Sequence, residues 1–423
     1  MSWSWPDRPR RVVVTGTGMV TALGNDVATT WDGLVAGRSG ISLVDTFDTS
    51  QLPVKIAAAV KGFDPSAILD RKDVRRTDRY IQFALYCAHQ AQTSAGLPAR
   101  LEGALAERSG VVIGSGLGGV HTLFDNVLLM GQRGPDRISP FFIPMGIGNV
   151  GAGQVAIATG AVGPNFATVS ACATGGHALG EAWETIRRGD ADVMLAGGVE
   201  APLHEATLGG FASMKALSTR NDDPARASRP FDKDRDGFVV GEGCGVLVLE
   251  ALEHAEARGA TPLAELVGYG ATADDSHITL PAPGGIGAVR AAHRALEKAG
   301  IDPAEVDHLN AHATSTHEGD KAELAAIRTI FGDHAPSVAV TANKSMLGHT
   351  LGAAGAVEAI VTIEALRRGV IPPTINLTDP DDLAAGLDLT PNAASRRELR
   401  VAVSNSFGFG GQNTALVFRR WDA

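Results

Sequence analysis

The sequence predicts an α/β protein built from two related halves, and three observations support this prediction. Short β-branched runs alternate with longer amphipathic runs along the whole chain, which is typical of sheets covered by helices on both faces. The chain has 423 residues, of which 44% are hydrophobic and 20% are charged, so it is long enough for two or three domains. The segment GHALG at 176–180 also returns as GHTLG at 348–352, which suggests an internal duplication.

The predicted elements follow the hydrophobic pattern in chain order. Residues 11–15, 110–114, 193–196 and 245–249 are short apolar runs that predict buried strands. Residues 83–95, 176–188, 288–299 and 352–368 are longer and amphipathic, and they predict helices. A break near residues 258–262 predicts the boundary between an N-terminal half, residues 1–258, and a C-terminal half, residues 259–423.

Composition excludes several classes of protein. The formal net charge of −10 argues against a dedicated nucleic-acid binder. No apolar run reaches about 18 residues, and the first ten residues lack the apolar stretch of a signal peptide. Three dispersed cysteines are too few for a disulfide framework or a zinc site, so we expect a protein of the reducing cytoplasm.

Cys172 is the strongest candidate for chemistry. It lies in TVSACATGGH at 168–177, between a strand-like and a helix-like run, with small residues on both sides. We expect a sharp strand-to-helix turn that leaves the sulfur open to a ligand, with a thiol pKa lowered by the helix N-terminus. A lone cysteine is more often a small core residue, and only the rest of the chain outweighs that alternative.

Two histidines and a lysine supply the rest of a site. His312 in LNAHATST and His349 in NKSMLGH each follow a predicted strand, and Lys344 lies five residues before His349. Zinc is the competing interpretation, but the histidines lie far apart and no HxxxH or HExxH pair occurs. A cysteine nucleophile with two histidine donors fits thioester condensation, in which the cysteine carries an acyl group and the histidines stabilise an enolate.

Three further motifs each have competing interpretations. The loop VSNSFGFGG at 403–411 predicts an oxyanion donor and a gating aromatic, or else a tight turn with two core phenylalanines. The GxGxxG match at 114–119 lacks a clear acidic ribose ligand downstream, which disfavours NAD binding. The DKDRDG segment at 232–237 begins like a calcium loop, but its twelfth position is Gly243, so calcium is disfavoured.

Taken together, these motifs resemble the β-ketoacyl-acyl carrier protein synthases, the condensing enzymes of fatty acid synthesis, and most closely their type II elongating members. The resemblance covers residues 12–413, and Cys172, His312, His349 and Lys344 match the family's motifs. It implies a thiolase-like fold, a five-layered αβαβα core made of two similar halves, in a protein that is usually a homodimer. It also implies no metal or redox cofactor, because the substrates are carried on the phosphopantetheine of acyl carrier protein.

The resemblance implies roles for individual residues. Cys172 would take the acyl group, with an oxyanion hole formed by its own N–H and that of Phe409. His312 and His349 would hold the malonyl thioester, and Lys344, tied to Glu323, would support them electrostatically. The positions that match substrate-binding residues are Thr314 and Thr316 for the pantetheine arm and Leu117 and Phe211 for the acyl pocket. The positions that match carrier-docking residues are Lys72, Arg75, Arg76, Arg137 and Lys215.

Some residues depart from the family pattern and leave alternatives open. Ala313, His317 and Gln412 stand where the family usually has glycine, proline and threonine, which affects chain-length preference and carrier selectivity. The leading expectation is a 3-oxoacyl-carrier-protein synthase, and the alternative is the ketosynthase subunit of a type II polyketide system. A non-catalytic chain-length partner would lack Cys172, and a thioesterase is a more distant possibility.

Overall fold

A computed structural model of the protein describes residues 9–422. Most of the N-terminal stretch on which the signal-peptide expectation rests therefore lies outside the described residues. The strands are β1 Val12–Val20, β2 Ser42–Leu43, β3 Ile56–Ala57, β4 Ser109–Gly114, β5 Asn165–Phe166, β6 Val193–Glu200, β7 Gly243–Ala251, β8 Ala264–Ala273, β9 His308–Asn310, β10 Ala339–Thr341, β11 Val370–Ile371, β12 Ser395–Arg396, β13 Val401–Gly408 and β14 Gln412–Arg420.

Helices separate most of the long strands. They are α1 Val27–Val35, α2 Arg71–Val74, α3 Arg79–Ala95, α4 Gly103–Glu107, α5 Val120–Arg133, α6 Phe142–Gly146, α7 Val150–Thr159, α8 Thr174–Arg187, α9 Glu205–Ser213, α10 Leu252–Ala257, α11 Ile286–Ala299, α12 His317–Phe331, α13 Lys344–Leu347 and α14 Ala354–Arg368. Within residues 9–422, no helix combines the length and the apolar character needed to cross a bilayer.

The main sheet shows the internal duplication directly. Its ten strands run in the order β10-β9-β13-β14-β8-β1-β7-β6-β4-β5. In the N-terminal half, β1 is antiparallel to β7, β7 is antiparallel to β6, and β6, β4 and β5 are parallel. In the C-terminal half, β8, β14, β13, β9 and β10 repeat the same directions in the same order. The two halves join where Val12–Val14 pair with residues 264–266, and the boundary predicted near residues 258–262 lies between α10 and β8.

Three buried apolar clusters define the layers. One lies between α3, α7 and the sheet of the N-terminal half, and another between α11, α12 and the sheet of the C-terminal half. The largest surrounds α8 and α14, which pack between the two halves of the sheet. The protein is therefore a five-layered αβαβα structure, as the family resemblance implies.

Close backbone approach brings the N-termini of α8 and α14 together. A Cβ added at Gly175 would lie 2.7 Å from the backbone nitrogen of Ala356, and one at Gly355 would lie 2.5 Å from that of Gly176. Only glycine fits at these two positions without moving a helix. The small residues that flank Cys172 thus let the two inner helices meet at the centre of the molecule.

The repeated segments GHALG and GHTLG do not occupy equivalent positions in the two halves. Equivalent 3₁₀ turns precede the inner helices, Ala171–Ala173 before α8 and Leu351–Ala353 before α14, and each begins with a positive φ, 49° at Ala171 and 47° at Leu351. Residues 176–180 lie inside α8, whereas residues 348–352 precede α14. The structural equivalent of Cys172 is therefore Gly352 and not Lys344, although Cys172 and Lys344 each lie five residues before the histidine of the repeated segment.

Candidate active site

Cys172 occupies the middle of the 3₁₀ turn that leads into α8. It is 9% exposed and lines a cavity of about 600 Å³. The left-handed backbone at Ala171 turns the chain sharply between β5 and α8. The turn thus presents the thiol to the cavity at the N-terminal end of a buried helix.

The pKa of the Cys172 thiol differs from the sequence-based expectation. Burial raises it to about 12, while Lys344 and the backbone N–H groups of Phe409 and Cys172 oppose that rise. Glu200 adds to it through its charge. The expected lowering of the thiol pKa is therefore wrong, because removal of the thiolate from water outweighs the favourable donors.

His349 is the nearest side chain to the sulfur. Its Nε2 lies 2.9 Å from Cys172 Sγ, and its Nδ1 accepts a hydrogen bond from the backbone N–H of Leu351 at 3.3 Å. An acceptor at Nδ1 leaves the proton of the neutral ring on Nε2. His349 therefore presents an N–H donor to the cavity.

His312 lies next to His349. Their ring centroids are 5.3 Å apart, and donor atoms of Cys172, His312 and His349 all lie within 4.8 Å of one another. Burial lowers the pKa of both histidines well below its ordinary value, and Lys344 lowers it further. Both rings are therefore neutral at physiological pH.

Lys344 lies behind the histidines, but its partner is not the expected one. Its ammonium forms a buried ion pair with Glu358 of α14. Glu323 instead accepts hydrogen bonds from the backbone N–H groups of His312, at 2.9 Å, and Ala313, at 2.6 Å. The expected tie between Lys344 and Glu323 is therefore not an ion pair, because the turn that carries His312 holds the Glu323 carboxylate, and the charge of Lys344 only opposes the rise in its pKa that burial causes.

The same three side chains could in principle hold a metal ion. A thiol and two imidazoles within 4.8 Å of one another offer three ligand atoms. The buried cation of Lys344, which already lowers the pKa of both rings, would repel a second positive charge. The donor set thus suits an anionic reaction centre better than a divalent cation.

Phe409 follows β13 in the hairpin to β14. Its backbone N–H points at Cys172 Sγ, and the residue lines the cavity. Gly410 and Gly411 have φ values of 88° and 74°, so the hairpin needs glycine at both. The loop thus places a second N–H donor beside that of Cys172, in the arrangement of an oxyanion hole.

The residues expected to bind substrate also line the cavity. The hydroxyls of Thr314 and Thr316 lie 2.9 Å apart, just after His312 in the chain. Phe211 packs on Phe238 at 5.3 Å, and Phe238 packs on His349 at 5.3 Å. A line of rings therefore connects the histidines to Phe211, and Leu117 shares the same cavity.

The residues expected to dock the carrier fall into two places. Lys72, Arg75 and Arg76 are exposed on or just after α2, and the guanidinium of Arg76 lies 5.0 Å from the centroid of the Phe141 ring. Arg137 is exposed in the turn Pro135–Arg137, close in sequence to Phe141. Lys215 is separate from these four, because it lines the cavity itself.

Two acidic residues were missed by sequence analysis. Glu358 is the one acidic residue among the first nine residues of α14, and Glu200 is the one acidic residue of β6. Both side chains are buried. A single carboxylate inside an apolar element was the available signal, because burying it requires partners.

Comparisons with known proteins point to one family over most of the chain. Residues 9–255 match the family described as the N-terminal domain of beta-ketoacyl synthase, and residues 263–378 match its C-terminal domain. A curated relative from Coxiella burnetii, a 3-oxoacyl-[acyl-carrier-protein] synthase 2, is 48% identical over 411 residues, 97% of this chain and 99% of the relative.

Solved structures are similar over nearly the same length. A beta-ketoacyl synthase from Burkholderia phymatum is 38% identical with a TM-score of 0.90, covering 98% of this chain and all of that one. A type II polyketide ketosynthase, bound to a hexaketide and in complex with its acyl carrier protein, is 34% identical with a TM-score of 0.89, again covering 98% and 100%.

Proposed function

The chain belongs to the β-ketoacyl synthase family, and from this premise we propose that it is a 3-oxoacyl-[acyl-carrier-protein] synthase of fatty acid elongation. The observation that carries the proposal is the cluster of Cys172, His312 and His349 in one cavity, with their donor atoms within 4.8 Å. The reaction is a decarboxylative condensation of an acyl thioester with malonyl-acyl carrier protein.

The first half-reaction loads the acyl group. The sulfur of Cys172 attacks the thioester carbonyl, the carrier's pantetheine thiol leaves with the proton of Cys172, and an acyl-enzyme thioester forms. The oxyanion of the tetrahedral intermediate accepts hydrogen bonds from the N–H groups of Cys172 and Phe409. Because burial raises the thiol pKa to about 12, deprotonation has to accompany substrate binding rather than precede it.

The second half-reaction forms the carbon–carbon bond. The malonyl thioester oxygen accepts hydrogen bonds from the neutral His312 and His349, CO2 leaves, and the negative charge moves to that oxygen as an enolate. The enolate carbon attacks the acyl thioester on Cys172, whose sulfur leaves as a thiolate and takes up a proton from water, and the 3-oxoacyl carrier is released. Each donor that acts on such an oxyanion contributes about 3 kcal/mol to lowering the barrier.

No metal or redox cofactor enters these steps. The cysteine sulfur is nucleophile and leaving group, and the imidazole N–H groups carry the electrostatic stabilisation. Thr314 and Thr316 support binding of the pantetheine arm, while Leu117 and Phe211 support an acyl pocket. Such substrates, carried on a soluble carrier, fit a cytoplasmic enzyme.

Acyl carrier protein is the proposed partner. The similar polyketide ketosynthase was solved with its own acyl carrier protein. The exposed side chains of Lys72, Arg75, Arg76 and Arg137 provide a basic surface on a chain with net charge −10. This surface would attract an acidic carrier, and Lys215 would act at the cavity.

Reaction of the purified protein with acyl- and malonyl-acyl carrier protein tests the proposal. We expect 3-oxoacyl carrier and CO2 in equal amounts. The second candidate, a polyketide ketosynthase, is favoured by the similarity to the hexaketide-bound structure. It would instead yield a chain extended several times without removal of the oxo groups, and a hydrolysed acyl carrier would refute both.

A further inference from the structure

Glu200 lies beside the cavity, but no step of the proposed reaction uses it. It ends β6, is fully buried and accepts four hydrogen bonds. Its Oε1 accepts from the Ser115 hydroxyl at 2.7 Å and the Leu117 N–H at 3.1 Å. Its Oε2 accepts from the N–H groups of Gly116 at 2.8 Å and Gly352 at 2.9 Å.

This arrangement is an anion site built from the backbone. Three of the four donors are backbone N–H groups, which can only donate, and within residues 9–422 no ion pair to Glu200 is formed. A Cβ added at Gly116 would lie 2.8 Å from Glu200 Oε2, and one at Gly352 would lie 2.6 Å away. Both glycines are therefore needed for the carboxylate to approach, as in other backbone anion sites.

The internal duplication relates this site to the oxyanion hole. Gly352 is the structural equivalent of Cys172, and Glu200 at the end of β6 is the equivalent of Gly408 at the end of β13. On one side, the N–H groups of Cys172 and Phe409 face the sulfur of Cys172, where the proposed substrate oxyanion forms, and no carboxylate of the described residues takes its place. On the other side, the N–H of Gly352 is occupied by a carboxylate of the protein itself.

The site filled by Glu200 contacts both the turn that carries His349 and the cavity wall at Leu117. Gly352 follows Leu351, whose N–H sets the tautomer of His349. Leu117, held through its own N–H, belongs to the cavity wall. We propose that Glu200 is a positioning residue of the condensation: its carboxylate fills a second anion hole and thereby fixes the His349 turn and the Leu117 wall. This inference rests on the proposed function.

Chemical rescue tests the inference. Glu200→Ala should slow CO2 release from malonyl carrier by roughly tenfold to a hundredfold, because His349 loses its fixed orientation. Added formate, a carboxylate small enough for the vacated site, should restore part of the rate. Glu250→Ala is the matched control, since Glu250 is also buried but bonds to side chains of Thr15, His254 and Arg258. Formate should not improve that variant.

A second readout does not depend on the carrier reaction. The charge of Glu200 raises the pKa of the Cys172 thiol, so Glu200→Gln should label faster with iodoacetamide at a fixed pH, while Glu250→Gln should not. Formate should slow labelling of Glu200→Ala. If the native protein releases no CO2, the proposed function fails while this labelling test still stands.

Two results would overturn the inference. One is a folded Glu200→Gln variant with native labelling and native CO2 release. The other is a folded Glu200→Ala variant whose lost activity formate does not restore. If Glu200→Ala does not fold, Glu200→Gln decides alone through its labelling rate and its CO2 release.

Discussion

Cys172 lies between opposing electrostatic influences. Burial raises its thiol pKa and Glu200 raises it further, while Lys344 and two backbone N–H groups act in the other direction. The neutral thiol is thus the resting form, because burial outweighs the groups that favour the thiolate. A thiol that stays protonated until substrate binds is protected from unproductive alkylation and oxidation.

The pH dependence of alkylation follows from this. Since the pKa of Cys172 is raised to about 12, the thiolate fraction rises about tenfold for each pH unit below that value. We expect iodoacetamide labelling of Cys172 to keep accelerating from pH 7 to pH 10. A plateau below pH 9, measured by peptide mass spectrometry, would contradict the raised pKa.

Loss of either histidine should impair the second half-reaction, in which the malonyl group loses CO2. His312→Ala and His349→Ala each remove one donor to the enolate oxygen, so CO2 release should fall by roughly 10² to 10³-fold. Acyl transfer to Cys172 should be less affected. Separate assays of the two half-reactions check this, with His334→Ala, a histidine that bonds to the Val306 carbonyl, as control. Unchanged CO2 release in either variant would assign that histidine another role.

At the scale of elements, the strands differ in how well the sequence predicts them. The four strands predicted from short apolar runs lie in β1, β4, β6 and β7 of the N-terminal half, and the strands expected before His312 and His349 are β9 and β10. In β8 and β13, glycine, serine, asparagine and threonine interrupt the apolar run. The polar residues weaken the hydrophobic pattern, so the sequence predicts a loop at residues 403–411, whereas Val401–Gly408 form β13.

Site residues show a similar division. Cys172, His312, His349 and Lys344 could be recognised from short motifs, and the structure brings them together. The ion pair of Lys344 with Glu358 could not be recognised from the sequence, since it depends on how α14 packs behind the turn of His349. Glu200 was missed for the same reason, because its four donors come from loops that are distant in sequence.

The segment at α2 supports a prediction about the carrier. Reversal of Arg75 and Arg76 to glutamate should raise the apparent KM for carrier-bound substrates and flatten its salt dependence, because exposed charges act mainly on association. Thioester mimics without the carrier should react unchanged. Reversal of Arg396 and Arg400, exposed and outside the cavity lining, is the matched control. If the reversal slowed carrier-bound substrates and thioester mimics equally, these arginines would have a structural role and not a docking role.

For the whole molecule, a group of exposed apolar side chains lies in and near the edge strand β5 along the chain. Ile157 of α7 is 70% exposed, Val162 is 69% exposed and Val169 is 66% exposed, and Phe166 of the edge strand β5 lies between them in sequence. Ile143 of α6 and Leu128 of α5 are also exposed. An open strand edge beside apolar side chains is typical of a surface covered by a second subunit. We propose that a second copy of this chain covers it.

Light scattering tests this homodimer. We expect a particle of twice the 43.8 kDa chain mass at micromolar concentration. The double variant Ile157→Asp and Val162→Asp should shift the protein toward a monomer, because it places two charges in a buried interface. Leu43→Asp, at an exposed leucine of β2, should leave the mass unchanged. A monomer mass for the native protein would refute the dimer.

Intact-protein mass spectrometry of native protein and Cys172→Ala tests the central claim most directly, when each is incubated with acyl-acyl carrier protein. The native protein should gain one acyl mass, located at Cys172, and the folded variant should gain none while it still releases CO2 from malonyl carrier. Cys87 and Cys244 are buried thiols that should stay unmodified. An acyl adduct on the variant, or on Cys87 or Cys244 of the native protein, would contradict the assignment of Cys172 as the nucleophile.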